Sequence, residues 1–267
     1  MSQTTEDAIR TAVRDTYGRA ALDQPMGECG SGDLPCCSPP APAHISAIRL
    51  GYSEQDLMAV PDGADLGLGC GNPGAIASLA PGETVLDLGS GSGIDAFLAS
   101  PVVGVRGRVI GVDMTPAMVS RARAIADTGG YANVEFRLGE IENLPVADSS
   151  VDVIISNCVI NLSPDKPAVF REAFRVLRPG GRLAVSDVVA STTLPDDVRG
   201  DPRLYSSCIA GASPLWDLAE MMADAGFERI RFSPKRESRA FINQWVPGRH
   251  GGDFVVSTTI EATKPAD

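Results

Sequence analysis

The sequence predicts an α/β fold, a mainly parallel sheet with helices on both faces and an antiparallel C-terminal strand. Three observations carry this. Residues 84–88, TVLDL, are a short apolar run with one acid that stops at Gly89-Ser-Gly-Ser-Gly93, and such a run bounded by glycines reads as a buried parallel strand. Directly after it Ile94, Phe97 and Leu98 fall at helical spacing, and residues 108–112, RVIGV, make a second apolar strand ending in Asp113. Strands and helices then alternate along the chain until residues 253–262, a final strand in which apolar and polar residues alternate.

Glycines at a strand-to-helix turn let the backbone approach a ligand, and the helix N-terminus beyond offers unpaired N–H groups to negative charge. An acid about twenty residues further on can accept hydrogen bonds from ribose hydroxyls. Residues 83–113 therefore read as a nucleotide-type site. Its candidate contacts are Asp87, Gly89, Ser90, Gly91, Gly93, Asp113 and Met114. A glycine turn alone can equally be a tight connection with no ligand. Here the spacing Gly-x-Gly-x-Gly, the preceding Asp87 and the closing Asp113 together resemble the class I S-adenosylmethionine-dependent methyltransferases, rather than dinucleotide dehydrogenases, whose loop must hold a pyrophosphate. The resemblance implies a Rossmann-like class I methyltransferase fold with S-adenosylmethionine as cofactor. That ligand carries no phosphate, so Asp87 is tolerable beside the loop.

The 267 residues are long enough for one large α/β domain with appendages, and 43% hydrophobic content supports a substantial core. A net charge of -11 argues against nucleic acid as a partner, because phosphate-backbone binding needs clustered Lys and Arg. No apolar run reaches the length of a membrane span, and Glu6, Asp7 and Arg10 leave no signal-peptide apolar region, so a cytoplasmic protein is expected. Six cysteines, Cys29, Cys36, Cys37, Cys70, Cys158 and Cys208, are too scattered for a disulfide framework or a paired zinc motif. They are expected as thiols.

Three regions are expected. Residues 1–50 hold an N-terminal helix and a cysteine-bearing loop, 51–190 the cofactor-binding core, and 191–267 a substrate-side segment followed by the helix and strands that complete the sheet. In the first, Ile9, Val13 and Tyr17 give residues 4–21 helical spacing, and 24–42 is a Gly, Pro and Ser-rich loop. Its three thiols are either incidental to a linker or a soft-metal trap. Ser53 to Asp56 looks like a helix start, and Asn72-Pro73 caps a short helix over 74–79. Cys70, just ahead of that helix, can have its pKa lowered by the helix N-terminus, or be a buried structural residue.

Residues 114–127 read as a helix and 133–138 as the third strand. Residues 151–156 are nearly continuous in apolar character and therefore central, which delivers Asn157 and Cys158 to the sheet edge where ligands bind. A helix over 165–177, a strand over 182–188, irregular chain over 193–213, a helix over 214–225 and a strand over 227–233 precede the last strand. The class I resemblance adds Glu140 and Ile141, after the third strand, as holders of the adenine edge.

On this fold Cys70, Cys158 and Cys208, distant in sequence, could converge beside one methyl donor. Each alone would be an ordinary small core residue. The runs GCGNP (69–73), VIGVDMTPAM (109–118), RLGEIENLPV (137–146), SNCVINLSPDK (156–166) and CIAGA (208–212) resemble the arsenite methyltransferases over roughly 51–262. Many members of that family continue into a longer C-terminal extension. The resemblance implies that Cys158 and Cys208 bind trivalent arsenic and that Cys70 acts with an N-terminal loop cysteine. Cys29, Cys36 and Cys37 all remain open for that place, the adjacent pair being favoured, with Cys37 first.

The chemistry is consistent with that substrate. Trivalent arsenic is soft and thiol-loving, so a thiolate site selects it over hard ions. Bound to sulfur it keeps a lone pair that can take a methyl group without a general base, which suits a chain whose two histidines, His44 and His250, lie near no pocket motif. Formation of a Cys70 to Cys37 disulfide from the two thiols could supply electrons that return the product to the trivalent state, with glutathione or thioredoxin as thiol co-substrate. Two other readings remain at this stage: a small-molecule C- or N-methyltransferase with structural cysteines, and a protein that sequesters or senses metalloids.

Overall fold

The computed structural model describes residues 3–22, 43–246 and 248–266. Helix α1 (Gln3–Leu22) is followed by α2 (Ala43–Leu50), α3 (Glu54–Ala59) and α4 (Gly74–Ala77), all ahead of the sheet. The loop thiols Cys29, Cys36 and Cys37 lie outside the described residues. Ser53 starts α3 with a full capping box, its hydroxyl accepting from Asp56 N while Asp56 accepts from Ser53 N. Asn72 accepts from Ala75 N at 3.0 Å at the head of α4. That helix stops two residues short of the expected length because Ser78 turns left-handed (φ 47°).

The alternating body follows as β1 (Thr84–Leu88), α5 (Ile94–Val103), β2 (Arg108–Asp113), α6 (Pro116–Gly129), β3 (Val134–Leu138), β4 (Val151–Asn157), α7 (Lys166–Val176) and β5 (Leu177–Ala190). Local chemistry sets these boundaries. Pro116 opens α6 and left-handed Gly130 closes it, donating to Ala126 O. Asp165 caps α7 by accepting from Ala168 N, and Val169, Phe170, Ala173 and Val176 form its buried face. Strand β5 begins five residues earlier than its apolar run suggests. The Arg-Pro-Gly-Gly turn is drawn into it with a register irregularity between Val151 and Val153 of β4.

The stretch expected to be irregular instead holds two short helices, α8 (Asp196–Arg199) and α9 (Pro202–Ser206). Asp201 caps the second by accepting from Arg203 N at 2.9 Å. Helix α10 (Leu215–Asp224), β6 (Glu228–Lys235), α11 (Arg239–Ile242) and β7 (Val255–Thr263) complete the chain.

The seven strands lie in the order β3-β2-β1-β4-β5-β7-β6. The first five run parallel, and β7 is antiparallel to both β5 and β6, so β7 alone runs against the rest. Leu86, Leu88, Val153, Ile154 and Ile155 are fully buried, since the central strands are covered on both faces. Each such side chain contributes roughly 1.5–3 kcal/mol of transfer free energy. β7 is buried along most of its length, so its alternation does not mark a solvated face.

Strand order reverses between β1 and β4, and the crevice beyond their C-terminal ends is where open α/β sheets bind ligands. Helix α1 packs across it against α6 and α9. Arg10 and Arg14 of α1 pair with Glu140, and Arg10 also reaches Glu142 at 3.5 Å. No described helix is long and apolar enough to cross a membrane.

Candidate active site

A cavity of about 380 Å³ fills the crevice. Its floor is the turn after β1. Gly89 has φ +65°, and a Cβ there would stand 2.2 Å from Val159, so only glycine fits. Gly91, also left-handed, has nothing within 4 Å of where its Cβ would be and opens to the cavity. Its N–H donates to Asp113 Oδ2 at 3.0 Å while Thr115 N donates to Oδ1 at 2.8 Å. These two bonds fix the Asp113 carboxylate at the wall with lone pairs to spare. Burial pushes its pKa up, against the pull of the same two bonds. Ser90 Oγ is buried on the same wall without a hydrogen-bond partner. A carboxylate with free lone pairs, an orphaned hydroxyl and a glycine cradle are what a nucleoside needs, so these residues fit the adenosyl part of S-adenosylmethionine. Met114, Ile141 and Asn157 also line the cavity.

Three of the expected contacts do not. Asp87 is buried behind the wall, 2% exposed, where burial and then the Asp95 carboxylate hold its pKa well above the usual range. Gly93 serves packing, because a Cβ there would meet Phe136 and Phe97 at 2.7 and 2.8 Å. Glu140 turns away to the two α1 guanidiniums, leaving Ile141 and Glu142 on the wall.

The cysteines come from three elements. Cys158 follows the tip of β4, Cys208 follows α9 and Cys70 lies in the loop before α4; all three are buried. Cys158 and Cys208 line the cavity. Both hold left-handed backbone, φ 59° and 62°, which costs a non-glycine residue free energy and persists only where the surroundings enforce it. Cys158 N donates to Ser186 O at 2.8 Å, and Cys208 N to Tyr205 O at 2.9 Å. The Cys208 thiol donates to Cys158 O at 2.9 Å, and the Cys70 thiol to Ser186 O at 3.4 Å. Asn157 ties the Cys70 loop to β4, accepting from Cys70 N at 3.0 Å and donating to Gly71 O at 2.7 Å and Tyr52 Oη at 3.0 Å. Its amide is therefore engaged with protein groups, which makes it a positioner of Cys70.

Of the two readings of Cys70, the buried residue fits and the lowered pKa does not. Burial raises it to about 11, because a thiolate there loses water and the four-residue helix α4 offers little in return. At Cys158 the contact with Cys208 lowers the value, but the contact with Cys70 and burial outweigh it and leave it raised. The Cys158 contact and burial raise Cys208 as well. All three are neutral thiols near pH 7.

The tightest cluster differs from the expected three cysteines. Donor atoms of Cys70, Cys158 and Asp187 lie within 4.8 Å of one another, and Cys208 stands outside that group. Sequence reasoning passed over Asp187, although an acid inside the apolar run LAVSDVVA of β5 was a visible signal. It also passed over Tyr17, which reads as helix core. The Tyr17 hydroxyl donates to Ser206 O at 3.1 Å and sits beside the Cys208 thiol. No histidine lines the cavity among the described residues, and Glu142 is held by Arg10 and by Ser163 Oγ at 2.6 Å.

Asp113→Ala would remove the carboxylate that this wall offers to a ribose. S-adenosylmethionine affinity should fall by about 1–3 kcal/mol by calorimetry, and unchanged affinity would reject this binding mode.

Comparison with known proteins agrees with the fold. A family model described as a methyltransferase domain matches residues 79–237. The arsenite methyltransferase of Halobacterium salinarum is 55% identical over 97% of this chain, and that of Mus musculus 44% identical over 68%. This chain spans 64% and 52% of their respective lengths. The crystal structure of an arsenic(III) S-adenosylmethionine methyltransferase from Chlamydomonas reinhardtii superposes with a TM-score of 0.61 at 36% identity, covering 85% of this chain and 75% of that one. With a family model matching more than half of it and close relatives of one kind, the chain belongs to the methyltransferase domain family, among the arsenite methyltransferases.

Proposed function

We propose that this protein transfers a methyl group from S-adenosylmethionine to trivalent arsenic held by Cys158 and Cys208, with Cys70 as the third thiol for arsenite. The observation that carries the reading is a pair of buried thiols, Cys158 and Cys208, on enforced left-handed backbone at one side of a cavity whose other side suits a nucleoside, with the buried Cys70 thiol close to Cys158. Gly89, Ser90, Gly91, Asp113, Met114 and Ile141 would hold the cofactor. When bound, S-adenosylmethionine supplies an electrophilic methyl group on a sulfonium. Sulfur-bound arsenic keeps a lone pair that accepts it, so the cavity needs no base, in keeping with its lining.

Neutral thiols suit a neutral substrate. Each As–O bond of arsenous acid exchanges for As–S as the thiol proton leaves with the hydroxide as water, so no buried thiolate has to form first. The protein's contribution is orientation, with the cysteines fixed by their carbonyl contacts and by α1 over the crevice. Methyl transfer leaves arsenic pentavalent. Two electrons from a thiol pair, Cys70 with Cys37 or Cys36, would return it to the trivalent state and leave a disulfide for glutathione or thioredoxin to reduce. A cytoplasmic setting, where thiols stay reduced, follows from this reading.

The test is native mass spectrometry with methylarsenite. One adduct is expected on the unmodified chain and none on the Cys158→Ala/Cys208→Ala double variant; equal adducts on both would overturn the ligand assignment.

A further inference from the structure

We propose that Asp187, Cys158 and Cys70 also form a binding site for a thiophilic divalent cation, of the zinc or cadmium class, which excludes the arsenical while it is bound. Cation binding stands on these residues alone; only the exclusion rests on the arsenic reading.

The three donor atoms lie within 4.8 Å of one another and all three residues are buried. They are anchored to one point of β5. Cys158 N and the Cys70 thiol both donate to Ser186 O, and Asp187 is the next residue. The Asp187 carboxylate is held rigidly, yet not saturated. Oδ1 accepts from Asn161 Nδ2 at 2.9 Å and Val188 N at 2.7 Å, whereas Oδ2 accepts only from Ile160 N at 3.0 Å. Oδ2 therefore keeps a lone pair for a ligand.

Arsenic chemistry leaves this carboxylate without a task, since soft trivalent arsenic prefers sulfur to oxygen. Zinc and cadmium take a mixed sulfur and oxygen set. Magnesium and calcium want oxygen donors, which two thiols cannot supply. Charge also closes. Two thiolates and a carboxylate against a dication leave one negative charge, and the half-buried Lys166 ammonium, which donates to Gly211 O at 2.7 Å and feels the Asp187 charge, offsets it. On binding, each thiol releases its proton to solvent. Arsenic and the cation would share Cys70 and Cys158, so the two cannot be bound together.

The test uses the full chain with Cys29, Cys36 and Cys37 changed to serine, which leaves Cys70, Cys158 and Cys208 as the only thiols. Titration with cadmium chloride alone should give one equivalent of sulfur-to-cadmium charge-transfer absorbance. X-ray absorption of the zinc-loaded chain should give a first shell with two protein sulfurs and light oxygen donors. Asp187→Asn in the same background should lower cadmium affinity about tenfold or more, since losing a direct ligand costs at least what losing an outer-shell partner does. It should leave phenylarsine oxide binding within about twofold. Absence of cadmium binding, an all-sulfur shell, or unchanged affinity in Asp187→Asn would overturn the proposal. If Asp187→Asn does not fold by circular dichroism, the shell of the parent chain decides between the two outcomes. Cadmium binding with the mixed shell, together with no arsenical binding, would uphold this site and sink the arsenic reading.

Discussion

Cys158→Ser and Cys208→Ser should each abolish methylation of arsenite and of methylarsenite. A fall of at least about a thousandfold, roughly 4 kcal/mol in barrier, is expected with S-adenosylmethionine affinity kept. Serine puts a hard oxygen where a soft sulfur must hold arsenic. It is otherwise a mild change. In Cys208→Ser the new hydroxyl would keep the donor that the Cys208 thiol offers to Cys158 O, and the backbone bonds of both residues to Ser186 O and Tyr205 O do not involve the side chain. The left-handed φ of each position is no harder for serine than for cysteine. Circular dichroism should therefore match the parent chain, which separates lost chemistry from lost fold. Near-normal turnover in Cys158→Ser would refute the assignment of this thiol.

Cys70→Ser should divide the two substrates. Arsenite has three valences to fill and can be held by three thiols, but methylarsenite has given one valence to carbon and takes only two. Cys158 and Cys208 would suffice for the second substrate, while Cys70 is needed for the first. The geometry supports a separate role for Cys70. Its thiol is bonded to Ser186 O and its backbone is pinned to β4 by Asn157, and it does not line the main cavity, although Gly67, Leu68 and Gly69 just before it do. Initial rates with excess small thiol should show arsenite methylation lost and methylarsenite methylation retained. Equal loss on both would leave Cys70 a general ligand or a structural residue.

Most of the architecture was legible because it is local. Continuous apolar runs marked β1, β2 and β4, and the Ser53 to Asp56 box and Asp165 marked helix starts before any tertiary contact is considered. The site was legible in its elements but not in its side-chain directions. Glu140 and Ile141 are neighbours, and only the arginines of α1, more than a hundred residues away, decide that Glu140 turns out while Ile141 turns in. Asp87 sits in the expected place on β1, yet the fold buries it behind the wall beside Asp95. Burial likewise decides Cys70 for the buried residue over the lowered thiol, which the sequence left open because no local signal reveals how fully a loop thiol will be covered. Asp187 was hidden for the same reason. An acid in an apolar strand declares itself, but its partners Cys70 and Cys158 come from other segments.

The most direct test of the central claim is transfer of a labelled methyl group. The purified chain, methyl-labelled S-adenosylmethionine, arsenite and a thiol reductant are combined, and the arsenic species are separated and counted. Label in methylated arsenic, dependent on arsenite and absent with Cys158→Ser, is the predicted result. Cofactor that stays intact while arsenite is bound, or label that appears only on carbon or nitrogen acceptors, would contradict the account.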